Sequence, residues 1–323
     1  MSDAVAEAWR STLPVPSGWQ RRVRTHSVDE APMSRTRSRW PVLLFSHGRS
    51  FPAENYQLLF ERLASAGWVV AAMSHPGEEA LTELPGGERF AFSGPGWDDP
   101  SERGEVLSGV VDQLVLDAAR VLDRLEALDH GDGEGRFAGR LDMTCGVGYF
   151  GHSLGGAAAA WTLQRDSRVV AAASWEGQVY RAADRPLTTA GPLLYIIGGA
   201  NRGELLGRQF RGGGTKAPVY ELVIHGAWHA SVGELLFIYG AYAPRDWQRR
   251  HRREITAART NQITGDYLDA FFSRYLPGRD HAPDDDLLSP DPPGGDVQAW
   301  NYPEAELRMS KDGGFWTAAG ETP

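Results

Sequence analysis

The feature that most constrains this chain is Gly151-His152-Ser153-Leu154-Gly155-Gly156, set between an apolar run ending at Phe150 and the alanine run Ala157 to Ala160. A strand that turns directly into a helix leaves almost no room at the corner. Side chains two residues before and two after the corner residue would collide, so Gly151 and Gly155 flank a strained Ser153 whose hydroxyl stands clear of the sheet. The same turn places the Leu154 amide at a helix N-terminus, where an unpaired N–H and the helix dipole favour a developing oxyanion. These residues read as a G-x-S-x-G nucleophile turn, because strand, turn and small-residue helix are all present around it.

The rest of the chain supplies matching elements. Pro41 to Phe45 is a short apolar run closing at Ser46-His47-Gly48, which predicts a buried strand over 42–46. Helical spacing of Tyr56, Leu59, Phe60 and Leu63 predicts a helix over 54–66, ended by Gly67. A strand at Trp68 to Met73 follows, then a long amphipathic helix over 105–128, and a strand from Cys145 to Phe150. Beyond the turn come a helix over 154–165, strands at 168–175, 193–198 and 219–224, and helices from 231 onward. Apolar runs alternating with helices indicate an α/β fold, with a mostly parallel central sheet covered by helices on both faces.

Residues 1–40 are polar and proline-punctuated, with weak alternation from Trp19 to Ser27 that predicts an edge strand. Residues 41–279 read as one catalytic domain, and residues 280–323, rich in Asp, Pro and Gly, as an extended tail. A net charge of −9 argues against a nucleic-acid partner. The cluster Arg245, Arg249, Arg250, Arg252 and Arg253 reads as a solvated helix face. One cysteine, Cys145, allows neither an internal disulfide nor a thiolate metal cluster. No apolar stretch has the form of a secretory signal or the length of a membrane span, so the expected location is the cytoplasm.

Nine histidines compete for the role of general base. When the nucleophile sits on such a turn, the base follows the last strand, after the acid, which leaves His225 and His229. His225 ends the run Val219 to Ile224, whereas His229 lies in the Gly226-Ala227-Trp228-His229 loop that can reach over the turn, so His229 is selected. The two histidines lack a companion glutamate and a third ligand, so the metal-site reading is weak. The acid should lie between Ser153 and His229 at a strand end; Glu176 and Glu204 both qualify, and pattern alone leaves them even. A second oxyanion donor is expected from the turn after the first strand, at the Arg49 amide, with His47 as a brace.

At these residues the chain resembles the platelet-activating-factor acetylhydrolase-like branch of the α/β-hydrolases, which includes predicted dienelactone hydrolases and related esterases. The similar pieces are Leu44-Phe45-Ser46-His47-Gly48, Val70 to Gly77, Phe137 to Asp142, Gly151 to Gly156 and the Gly226 to His229 loop, spanning roughly residues 40–275. In that family the acid follows the strand after the nucleophile helix, so the resemblance implies Glu176, in Trp175-Glu176-Gly177, with Glu204 in reserve. Two departures stand out. Glu replaces the usual Asp, and Arg49 replaces an apolar residue, which points either to an anionic substrate or to a solvated side chain.

The implied chemistry is acyl transfer through a Ser153–His229–Glu176 triad and an acyl-enzyme, with no cofactor. The expected substrate is a small-molecule carboxylic ester, a short acyl ester or a lactone, bordered by some of Phe51, Trp97, Trp175, Tyr180 and Trp228. An amidase, a thioesterase or a biosynthetic acyl-transfer cyclase would use the same triad, because a fold does not determine its substrate. A binding module without activity is the remaining reading.

Overall fold

The computed structural model describes residues 1–10, 15–94, 103–133, 135–178, 190–199, 217–242, 245–246, 255–276, 285–288 and 302–310. Its centre is β1 (Trp40–Ser46), whose apolar run is buried on both faces. Successive strand residues point to opposite sides. Val42 and Leu44 therefore enter one core, and Leu43 and Phe45 the other. On either side of β1 lie, in parallel, β2 (Val69–Met73) and β6 (Val147–His152). From β6 the sheet continues in order through β7 (Val169–Trp175), β8 (Leu193–Gly198) and β9 (Val219–Ile224), all parallel.

Helices cover both faces. On one lie α3 (Arg103–Asp129) and α4 (Leu154–Arg165), whose Ala157 to Ala160 are entirely buried between the sheet and α3. On the other lie α2 (Gln57–Ser65) and α6 (Ala257–Tyr275), with Leu59, Phe271 and Phe272 against Phe45 and Phe150. Chain order explains where a site can form. The chain goes from β1 outward to β2, then returns to place β6 on the other side of β1, which makes the carboxyl ends of β1 and β6 the switch point where open α/β sheets bind ligands. Ser46 and His152 end those two strands.

Four regions differ from the sequence reading. The expected edge strand at Trp19 to Ser27 is absent; Trp19–Arg22 forms a 3-10 turn entered through Gly18 at φ 70°. Its alternation reflects Trp19 docking on Trp9 with ring centres 5.6 Å apart, not strand pairing. Trp9 belongs to α1 (Asp3–Arg10), which buries Val5, Ala6 and Trp9 and lies in the segment read as irregular. A hairpin of β3 (Leu81–Glu83) and β4 (Arg89–Ala91) follows β2, and a two-residue strand, β5 (Leu141–Asp142), pairs with the start of β1. Within the tail, β10 (Ala305–Ser310) adds an antiparallel edge to β9. The tail therefore completes the sheet. Between β9 and α6 lies α5 (Leu235–Tyr242). Among the described residues, no helix is long and apolar enough to cross a membrane.

Candidate active site

Ser153 stands at the corner between β6 and α4 with φ 54° and ψ −119°, a conformation that costs a non-glycine residue about 1–3 kcal/mol. The corner is as crowded as its sequence suggests. A Cβ on Gly151 would come within 2.4 Å of the Gly155 backbone, and one on Gly155 within 2.2 Å of the Ser46 carbonyl oxygen. The strain is held in place from the neighbouring strand, because the Ser153 amide donates to the Trp175 carbonyl at 2.8 Å.

His229 lies in the loop after β9, and its Nδ1 is 2.7 Å from Glu176 Oε2. An ionised carboxylate only accepts, so Nδ1 carries the proton and Nε2 is left with its lone pair. Glu176 follows β7 in a left-handed conformation, φ 47°, with its amide donating to Ile196 O at 2.9 Å. Its Oε1 accepts from the Gly198 amide at 2.7 Å. The carboxylate is thus buried and bonded at both oxygens, whereas the His229 side chain is 43% exposed. Gly198 accommodates the extra methylene of Glu over Asp: a Cβ there would sit 2.8 Å from Oε1 and displace the acid. Glu204 lies outside the described residues. His225 turns to the sheet edge, where its Nε2 is 3.4 Å from Glu306 Oε2 and its amide donates to Glu304 O.

The turn after β1 is gripped by the segment after β2. Ser50 N donates to Glu78 O at 2.7 Å, and Phe51 N to Gly48 O at 3.0 Å. His47 Nδ1 donates to Gly48 O at 2.9 Å, and its Nε2 lies 2.9 Å from Glu79 Oε1, with both side chains buried. The Arg49 side chain is not solvated. It is 5% exposed, 3.4 Å from Glu78 Oε2 and 4.9 Å above the Phe92 ring, so its charge is met within the fold.

Sequence reasoning missed a second arrangement of Ser, His and Asp. Ser46 Oγ lies 2.9 Å from His75 Nε2, and His75 Nδ1 3.1 Å from Asp117 Oδ2. Ser46 has no accessible surface and also bonds Tyr149 Oη at 2.6 Å, so no substrate reaches it. Burial lowers the His75 proton affinity, with Asp117 opposing. The group ties the end of β1 to the loop after β2 and to α3. No spacing announces it, because its members come from three distant elements.

Of the five aromatic residues expected to border substrate, Phe51 is half-buried, 5.6 Å from the His152 ring and 6.2 Å from Trp9. Trp228 is half-buried and packs against the small core that contains Trp9, Trp19, Ala230 and Leu235. Trp175 is 3% exposed and packs in the same core as Ala171 and Ala173, on the side of β7 that these alternate residues share, where it lines a small pocket of about 10 Å³ with Phe150, Gly151 and His152. Trp97 and Tyr180 lie outside the described residues, as do Arg249, Arg250, Arg252 and Arg253.

A ferulic acid esterase from Streptomyces cinnamoneus superimposes on this chain with a TM-score of 0.64 and 26% identity, over 80% of this chain and 73% of that one. The chain has the α/β-hydrolase fold. The resemblance to platelet-activating-factor acetylhydrolases holds as well: the family described as "Platelet-activating factor acetylhydrolase, isoform II" matches residues 17–84. A probable 1-alkyl-2-acetylglycerophosphocholine esterase of Arthroderma benhamiae is 27% identical over 140 residues, 43% of this chain. That match spans about a third (32%) of the curated relative's length.

Proposed function

We propose that this α/β-hydrolase is a carboxylic ester hydrolase in which Ser153 is the nucleophile, His229 the general base and Glu176 the acid that orients it. The observation that carries the reading is the His229 Nδ1–Glu176 Oε2 hydrogen bond, taken with a serine held at φ 54° on a crowded strand-to-helix turn. Glu176 leaves Nε2 of His229 as the proton acceptor. In acylation, that nitrogen takes the Ser153 proton, Oγ bonds to the ester carbonyl carbon, and the negative oxygen is held by the Leu154 and Arg49 amides. Collapse breaks the bond to the alcohol, which leaves with the proton from His229. Water, deprotonated by the same nitrogen, then releases the acid and restores Ser153.

The substrate class follows from the relatives together with the site. Both similar proteins are described as esterases, one for an acetyl group on a glycerophosphocholine and one for ferulic acid. Their shared chemistry is cleavage of a carboxylic ester, so this chain is assigned a small-molecule ester, a short acyl ester or a lactone. Residues 41–279 are assigned as the catalytic domain, with β10 in the tail closing the sheet edge.

The test is intact-mass analysis after a fluorophosphonate probe, with Ser153→Ala and His229→Ala alongside. One adduct on the natural chain, absent in S153A and formed at least about a hundredfold more slowly in H229A, is expected. An equal adduct in S153A would refute the assignment. Ester, thioester and amide panels then separate an esterase from the thioesterase and amidase that the same residues could serve, the ester being cleaved fastest.

A further inference from the structure

His229 is positioned through its main chain as well as through Glu176. Its carbonyl oxygen accepts a hydrogen bond from His152 Nε2 at 2.8 Å, and the two rings lie 4.7 Å apart centre to centre. His152 Nδ1 lies 2.7 Å from Tyr56 Oη, and Tyr56 Oη 3.2 Å from the Gly48 amide nitrogen. Tyr56 and His152 are both buried. The approach is close enough that a Cβ on Gly48 would fall 2.5 Å from His152 Nδ1.

The ends of this string determine its direction. An amide N–H only donates and a carbonyl only accepts. Gly48 N–H therefore gives to Tyr56 Oη, Tyr56 O–H gives to His152 Nδ1, and His152 Nε2–H gives to the His229 carbonyl. Each bond along the path then runs in one sense, and moving the ring proton from Nε2 to Nδ1 would set the Nε2 lone pair against the His229 carbonyl oxygen. Burial, with the neighbouring His229 ring acting the same way, holds His152 well below the usual imidazole range, so the ring stays neutral.

We propose that Tyr56 and His152 are positioning residues that fix the spacing between the His229 loop and the Gly48–Arg49 turn, so that base and oxyanion donors stay in register across Ser153. The inference rests on the serine-hydrolase reading. Three loops leaving three strand ends, after β1, β6 and β9, meet at this string, and no local sequence holds them together. A buried histidine immediately before the serine is suited to the task because its two nitrogens lie on opposite sides of a rigid ring.

The test combines hydrolysis of p-nitrophenyl acetate with the histidine tautomer read from imidazole ¹⁵N shifts, on Tyr56→Phe, His152→Leu and His152→Gln. Y56F and H152L are expected to lower kcat about ten- to a hundredfold, with KM changing less than about threefold, since a small misplacement costs rate rather than binding. H152Q, whose amide offers one acceptor and one donor, regains most of the rate lost in H152L. In the natural chain His152 is expected as the Nε2–H tautomer. An Nδ1–H tautomer, a folded H152L with the natural kcat, or an H152Q as slow as H152L would overturn the proposal. If H152L does not fold, the tautomer and Y56F decide it. Hydrolysis unaffected by S153A would instead sink the serine reading, while the tautomer, which needs no activity, would still test the string.

Discussion

Glu176 and Ser153 are two of the four non-glycine residues with positive φ among the described residues, and the two that belong to the proposed triad. Each is held by a backbone bond to the next strand, Ser153 to Trp175 and Glu176 to Ile196. Replacing Glu176 by Gln keeps the shape and removes the charge that favours the Nδ1–H tautomer and the imidazolium. E176Q is expected to lower kcat by about 10²–10⁴ while the protein stays folded, as steady-state kinetics beside a melting curve would show. Glu176→Asp is too short to bond Gly198 N and His229 Nδ1 together, so an intermediate loss is expected. Gly155→Ala forces a methyl to 2.2 Å from the Ser46 carbonyl oxygen. It should destabilise by about 1–3 kcal/mol or more in denaturant titration and abolish labelling of Ser153.

At the scale of elements, the loop from β9 to α5 is anchored at its far end by Glu234. Its Oε1 accepts from the Leu58 amide at the start of α2, and its own amide donates to Asn55 O at 2.7 Å. Burial pushes the Glu234 carboxyl from the ordinary 4.5 up to about 8. Between those two values the folded chain keeps a proton that the unfolded chain has released. The contribution of this group to stability is therefore undiminished below about pH 4.5, falls as pH rises towards about 8, and is then constant. Glu234→Gln keeps the acceptor for Leu58 and removes the titration. Its unfolding free energy in denaturant titration should equal the natural chain's near pH 4.5 and exceed it near pH 8.5, by an amount on the order of a few kcal/mol at most. A difference of the same size at both pH values would show that Glu234 is not the titrating group. β10 makes a second case. Ala305 and Leu307 are buried against the other core residues, and Arg259 Nη2 holds Glu304 Oε2 at 2.9 Å. Leu307→Ala is expected to cost about 2–3 kcal/mol in denaturant titration, although its strand belongs to a tail rich in Asp, Pro and Gly.

Over the whole molecule, the N-terminal residues and the His229 loop share one small core. Trp9, Val15 and Trp19 pack with Ala230, Leu235 and Ile238, and Phe51 bridges this group to the His152 ring. Trp9→Ala should therefore be felt twice: as a loss of about 3–5 kcal/mol in stability, and as a slower fluorophosphonate reaction at Ser153 under conditions where the protein is still folded. A change in stability alone would separate the N-terminal helix from the site.

What could be read from the amino-acid order was whatever a short window encodes. Pro41 to Phe45, Val169 to Trp175 and Val219 to Ile224 are apolar on both strand faces, so they read as buried parallel strands and are found as such. Gly151 to Gly156 carries its own steric argument, and the strained turn is where that argument puts it. The burial of the Arg49 side chain was not legible because its neighbours Glu78 and Phe92 come from the segment after β2 that folds back onto the turn. Trp175 falls in the core because it continues the face of β7 that Ala171 and Ala173 present. β10 was missed because an edge strand needs only one apolar face and a neighbour to pair with, and that neighbour is 81 residues away at the Ala305–Ile224 pairing (305 − 224). Local sterics and periodicity thus specify the strands and the serine turn. The contact between Glu176 and His229, and the string from Gly48 to His229, exist only once the ends of separate strands are brought side by side.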